Sequence, residues 1–159
     1  YGATITFWFK FFGVPSTVTD SLPPIFLLNS SAFFGYDIAT QSLRFMHNNQ
    51  AAFIDASFKD KISTWVFVSF STYRSNISSY FPNLLSVAVD YSELPMEATY
   101  TPPANGVSIS MVQLGHKISA LFYDIKYYSS FTIGPIGKVK GDTTLFSKNL
   151  FHGITHTSS

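Results

Sequence analysis

Over the first dozen residues hydrophobic and polar side chains alternate with a period of two. In Thr4-Ile5-Thr6-Phe7-Trp8-Phe9-Lys10-Phe11 every odd position is apolar, and the even positions carry Thr, Thr, Trp and Lys. That is the signature of a strand that buries one face, since a helix would scatter the same residues around its circumference. A Pro/Ser/Thr-rich loop follows at 13–24, then a short apolar run at 25–28 and a second alternating stretch at 42–46. Asn48 and Asn49 supply turn chemistry before the run at 51–54, so the spacing predicts a meander.

The segment 62–70 has Trp65 and Phe67 on one face and Val66, Val68 and Phe70 on the other. With both faces apolar it is expected to be a central strand covered on both sides. Leu85, Val87 and Val89 repeat the theme along 84–90, and Thr101-Pro102-Pro103-Ala104-Asn105-Gly106 joins prolines unfit for a central ladder to an Asn-Gly turn. Segments 107–114 and 120–128 are expected to close the series. Roughly ten strands with turn signals between them, and no helical periodicity, predict an all-β chain folded as an antiparallel two-sheet sandwich of jelly-roll type. The sandwich is expected over residues 1–133, with 134–159, which alternate poorly, as a C-terminal edge strand or linker.

Composition sharpens this picture. Of 159 residues, 17 are Phe, 9 Tyr and 2 Trp, while only 12% are charged, about half the usual share of roughly 25%. A net charge of +1 leaves no basic excess to neutralise phosphates, so nucleic acid is not an expected partner. The absence of cysteine removes disulfides, thiolate metal sites and cysteine nucleophiles together. No apolar run reaches the roughly 18 residues of a membrane span, because Pro23, Pro24 and Asn29-Ser30-Ser31 interrupt the oiliest stretch. The chain opens on Tyr1 without the charged, apolar and small-residue series of a signal peptide, which leads us to expect a chain processed or cut from something longer.

Four stretches, taken in order, resemble one family. They are Thr4-Ile5-Thr6-Phe7-Trp8-Phe9-Lys10, Thr64-Trp65-Val66-Phe67-Val68-Ser69-Phe70, Val87-Ala88-Val89-Asp90, and Gln113-Leu114-Gly115 with Ile118-Ser119-Ala120-Leu121-Phe122-Tyr123-Asp124-Ile125-Lys126-Tyr127-Tyr128. Together they are similar to the laminin-G-like, concanavalin-A-like jelly-roll superfamily, over roughly residues 1–130. Ala120 stands where that family usually has Gly, and the strand that normally precedes the Trp8 motif is absent. The resemblance therefore implies a sandwich that is missing a strand or borrows one from a partner or a neighbouring segment, since unpaired ladder groups invite pairing. It also implies an extracellular or cell-surface setting and calcium as the candidate ion, with Asp90 at a strand end the position it points to. Asp37, Asp55 and Asp60 are further carboxylates, and for each of the four a turn cap or a surface charge is the competing role. Asp124, in the closing motif, reads as structural.

Catalytic chemistry finds little support. A glycoside hydrolase of this kind needs two carboxylates on one face about 5–5.5 Å apart, whereas Glu93 and Glu97, the only glutamates, flank Leu94-Pro95-Met96 in an expected loop. No serine sits in a nucleophile elbow, His152 and His156 lack the Glu of a zinc-protease helix, and Gly134 to Gly141 lacks the Gly-Lys-Ser/Thr ending of a phosphate loop. Asn29-Ser30-Ser31 and Asn76-Ile77-Ser78 fit the N-glycosylation pattern. Tyr73, Tyr80, Tyr91 and Tyr100 fall near expected loops or strand ends and are the candidate ligand-binding rings, with core packing as the competing role; Phe81, Tyr127 and Tyr128 share that placement. The expected function is a non-catalytic adhesion or assembly module of a larger extracellular or cell-surface protein, binding protein neighbours through sheet faces and edges. A lectin-like glycan-binding module is the alternative, and a glycoside hydrolase the third reading.

Overall fold

A computed structural model of the chain describes residues 2–73, 84–103, 106–115 and 117–129. Ten strands follow one another: β1 (Gly2–Gly13), β2 (Pro24–Leu27), β3 (Ala32–Asp37), β4 (Ser42–His47), β5 (Gln50–Asp55), β6 (Trp65–Tyr73), β7 (Leu84–Val89), β8 (Ser92–Glu93), β9 (Gln113–Leu114) and β10 (Ser119–Tyr128). They form two five-stranded antiparallel sheets, ordered β10-β1-β6-β7-β8 and β5-β4-β3-β2-β9, which do not close into a barrel. The expected all-β two-sheet sandwich is therefore what the chain builds. After β1 the chain crosses to the second sheet and runs the meander β2 to β5. A turn of 3-10 helix at Ala56–Asp60 then carries it back to β6 beside β1.

The alternation in β1 determines which residues make the core. Ile5, Phe7, Phe9 and Phe11 are all buried on the inner face. Phe7 lies at the centre, stacked on Phe26 of β2 with ring centroids 4.1 Å apart and planes within 2°. Phe34 meets it edge-on at 5.8 Å. Across from β6, Phe70 packs on Phe45 at 4.8 Å, so facing rings lock the two sheets together. The outer face of β6 carries a smaller aromatic group around Phe67, with Trp8, Tyr91 and Tyr128 against it. The expectation of apolar cover on both sides of β6 holds at Phe67 but fades at Trp65, which is 42% exposed.

Two hairpins turn through paired residues at positive φ, the geometry that matches the natural strand twist. Asn48 and Asn49 (φ 50° and 62°) join β4 to β5, and Asp90 and Tyr91 (φ 51° and 66°) join β7 to β8. Asn suits such positions, whereas Tyr91 adopts the strained conformation while its ring stacks on Phe67 at 5.2 Å. On β10 the ladder to β1 shifts register between Thr6 and Trp8, opposite Asp124 at φ 53°. That bulge moves Lys126 and Tyr128 to the face that Leu121 and Tyr123 occupy before it.

Two elements depart from expectation. The strand expected at 107–114 shrinks to Gln113–Leu114. The amides of Ser110 and Met111 both donate to the Leu28 carbonyl (3.2 and 3.0 Å), and the Asn29 side chain takes the Ser108 carbonyl, so loop bonds replace a ladder. Conversely, β3 was not expected from the sequence, because Ala32-Phe33-Phe34-Gly35-Tyr36 shows no alternation.

Candidate functional site

One end of the sandwich gathers the carboxylates. Asp55 ends β5 and caps the 3-10 helix, its Oδ1 accepting from the Ser57 amide (3.0 Å) and hydroxyl (2.6 Å). Asp90, in the β7–β8 turn, accepts the Phe67 amide at 2.9 Å while its own amide donates to the Phe67 carbonyl, so its side chain finishes the β6–β7 ladder. Between them lies the Lys61 ammonium, 3.3 Å from Asp55 Oδ2 and 4.0 Å from Asp90 Oδ2. The place a calcium ion would take beside Asp90 thus already holds a cation of the protein. Asp37 pairs with Arg44 at 3.2 Å, and Asp60 is exposed at the end of the helical turn. No cluster of three or more His, Asp or Glu side chains suited to a metal occurs among the described residues. Asp124 is buried at the bulge, 3.5 Å from Lys126, in keeping with its structural reading.

The candidate tyrosines do not converge. Tyr73 ends β6 in register with Gly2 and Leu84, whereas Tyr91 sits past the opposite end of the β6–β7 pair. Tyr100 is only 5% exposed, and its hydroxyl lies 2.9 Å from Nδ1 of buried His47. This corrects its reading as a ligand-binding ring: it is a core side chain that ties the 94–103 connection to β4. Burial lowers the His47 pKa and raises that of Tyr100. Tyr91 is also raised, chiefly by burial and further by the Asp90 charge. Burial raises Tyr128 first and Asp124 adds to it.

Asn29 is likewise an inward residue, 8% exposed. Its Nδ2, the atom that would carry a glycan, donates to the Ser108 carbonyl at 2.6 Å, and its Oδ1 accepts from the Ser31 amide and hydroxyl (2.8 and 3.0 Å). Both ends of the amide are thus engaged within the fold, and the side chain of the first sequon is held inward. Asn76, Tyr80, Phe81, the domain boundary at 133/134, the 134–141 stretch, His152 and His156 lie outside the described residues.

Glu93 and Glu97 engage different strands. Glu93 on β8 accepts from the Ser86 hydroxyl at 3.2 Å, whereas Glu97 follows the Phe53–Met96 bridge and its amide donates to Ala52 of β5. A depression lined by Phe53, Leu85, Leu94, Pro95 and Met96 contains Glu93 as its single charged side chain.

Sequence reasoning missed two features. The first is a concentration of exposed apolar side chains along one side of the sandwich. Phe122 of β10 packs on Phe26 of β2, the neighbour of β9, so β9 and β10 lie on the same side. From there Met111, Val112, Leu114, Leu121, Ile125 and Tyr127 project, all at least two-fifths exposed, with Tyr127 at 54%. Ile125 and Tyr127 face the core side of their sheet yet stay exposed. The second is a cavity of about 380 Å³ at an end of the sandwich, between the loop after β1 and the β3–β4 hairpin. Neither leaves a local signal: the first depends on a bulge, the second on two segments, 13–18 and 36–41, that are distant in sequence.

The fold defines the chain as a two-sheet antiparallel β sandwich. No protein-family model matches it, and neither does any curated protein.

Proposed function

We propose that the chain is a non-catalytic adhesion or assembly module that binds protein neighbours along its β9–β10 side. The observation that carries this is the concentration of exposed apolar side chains. Of the nine large hydrophobic residues exposed among the described residues, six fall between Met111 and Tyr127 on that one side. Single exposed hydrophobics are ordinary, but their concentration on the two strands of one side, and in the loop before β9, is what a side that a partner desolvates requires. Lys126, the one charged residue between Ile125 and Tyr127 in sequence, has its charge matched by Asp124, which suits an interface poor in net charge. The order of the sequence motifs and the two five-stranded antiparallel sheets both support a place among laminin-G-like, concanavalin-A-like modules, and with it an extracellular or cell-surface setting.

The test is a photo-crosslinking amino acid placed at Leu121 or Ile125 in the full protein in its native setting, with Lys59 and Thr64 as exposed control positions. Adducts to protein neighbours are expected several-fold more often at Leu121 and Ile125 than at the controls. Equal yields at all four positions, or none, overturn the proposal.

A further inference from the structure

We propose that the outer face of the β10-β1-β6 strands, where Lys10 lies between Phe12 and Trp65, is a docking patch for the surface of an anionic phospholipid bilayer. The β9–β10 side accounts for six of the nine exposed large hydrophobic residues among the described ones. Of the other three, Phe12 (45% exposed) and Trp65 (42%) flank this one lysine. The strand register brings the group together. Lys10 pairs with Trp65 of β6 on one side and with Leu121 of β10 on the other, and cross-strand partners share a face. The Lys10 ammonium lies 5.8 Å from the centre of the Phe12 ring and 6.0 Å from that of Trp65. Tyr123 extends the group, its ring 5.9 Å from that of Trp65. Four apolar or amphipathic side chains thus surround a single charge, on the face turned away from Phe9 and Phe11 in the core.

The charge selects the partner. Arg44, Lys61, Lys117 and Lys126 each pair with a carboxylate, whereas no ion pair among the described residues includes Lys10. A second copy of the chain seated on this face across a two-fold axis would bring Lys10 up to its own counterpart, like charge against like. None of the five side chains lines the 13–18 cavity or the depression beside Met96, so the patch offers protruding groups and no hole. A protein partner would have to supply pockets for three exposed bodies and a buried carboxylate for the ammonium. The boundary layer of a bilayer supplies both without a matching shape. It takes up Trp, Tyr, Phe and Leu bodies beneath the headgroups, while a lysine stem crosses the apolar zone and leaves its ammonium among the phosphates. Negative lipid charge then attracts the one ammonium that the fold leaves unmatched.

Leu121 belongs to this patch and to the β9–β10 group alike, so the variants that test the patch sit on β1, β6 and the 3-10 helix, and either proposal can fail alone. The experiment is co-sedimentation of the 159-residue chain with vesicles of phosphatidylcholine containing about 30% phosphatidylserine, and with pure phosphatidylcholine, read together with tryptophan emission. The chain is expected to pellet with the mixed vesicles and to shift its emission to the blue. That shift is expected to vanish in Trp65→Phe, because the other tryptophan, Trp8, already packs on Phe67. Phe12→Ala combined with Trp65→Ala is expected to lower the partition coefficient at least about tenfold. Lys10→Gln is expected to lower it about fivefold on the mixed vesicles and under about twofold on pure phosphatidylcholine. Lys59→Gln, the same loss of charge at an exposed position of the 3-10 helix, is expected to cost under about twofold. Urea midpoints close to that of the wild type, read by Trp8 where Trp65 is replaced, separate lost binding from lost fold. No pelleting with the mixed vesicles, a blue shift retained in Trp65→Phe, or equal losses for Lys10→Gln and Lys59→Gln overturns the proposal. So does a photo-crosslinking residue at Phe12 that captures proteins and no lipid in the native setting.

Discussion

Truncating Phe7 tests the account of what holds the two sheets together. Its side chain is fully buried, and four rings lie around it: Phe26 at 4.1 Å, Phe9 and Phe34 at 5.8 Å, and Phe122 at 6.4 Å. Phe→Ala at a site that cannot collapse costs about 3–5 kcal/mol. Because the parallel stack on Phe26 is lost as well, we place Phe7→Ala near the top of that range. Phe7→Leu keeps most of the volume and loses mainly the ring contacts, for about 1.5 kcal/mol. Phe12, on the same strand but 45% exposed, has the Lys10 ammonium over its ring at 5.8 Å, so Phe12→Ala costs under about 1 kcal/mol. Urea unfolding followed by the fluorescence of Trp8 and Trp65 reads all three. With a slope of about 2 kcal/mol/M, Phe7→Ala lowers the midpoint by about 2 M, against about 0.7 M for Phe7→Leu and less for Phe12→Ala. Equal shifts for Phe7→Ala and Phe12→Ala would refute the idea that facing phenylalanines carry the sandwich.

Four further outcomes follow from particular contacts. Burial holds the His47 imidazole below its ordinary value of 6.5, so the unfolded chain binds the proton more readily. The stability this contributes is present above pH 6.5 and is lost as the pH falls from there through the folded-state value, so between pH 7.5 and 5 the urea midpoint should fall more steeply in the wild type than in His47→Gln; parallel slopes refute it. A methyl group on Gly115 would run into the Pro24 carbonyl oxygen, next to the bond from the Gly115 amide to Ile25, so Gly115→Ala should lower the Tm by about 4–8 °C, and an unchanged Tm contradicts that close approach. Peptide mass spectrometry of the natively purified protein should find Asn29 without glycan, because its amide is fully bonded within the fold; full occupancy would show the turn to be wrong. Millimolar calcium should leave the Tm unchanged, since Lys61 already bridges Asp55 and Asp90, and a rise of several degrees would overturn that placement.

Much of the fold was legible because a strand writes its faces into the sequence at a period of two. Residues 4–11 were assigned to inner and outer faces correctly, and the Asn48-Asn49 turn was readable because asparagine tolerates positive φ. Where the period fails, so did the reading. In β3, Phe33, Phe34 and Tyr36 stand on both faces around Gly35, and the strand exists because β2 and β4 pair with it on either side. The run at 107–114 alternates well enough, yet its backbone is captured by Leu28 and Asn29, partners some eighty residues earlier. Pairing decided both cases, and pairing is not a local property.

The sites were harder to read for the same reason. Asp90 was correctly placed at a strand end, but whether its carboxylate meets a metal or an ammonium depends on Lys61, carried there by the 3-10 turn from a different sheet. Tyr100 sits among prolines and polar residues, which reads as surface, yet His47 draws its hydroxyl inward from 53 positions away. Tyr36 shows the converse: its apolar neighbours read as core, and the ring is core, but the residue also lines a cavity built with the 13–18 loop. In a chain with so few charges, the residues that decide function on this reading are amphipathic ones whose two ends face different surroundings. A substitution such as Tyr100→Phe, which removes the hydroxyl bonded to His47 and leaves the ring in place, therefore separates the polar contact from the packing more cleanly than any charge reversal.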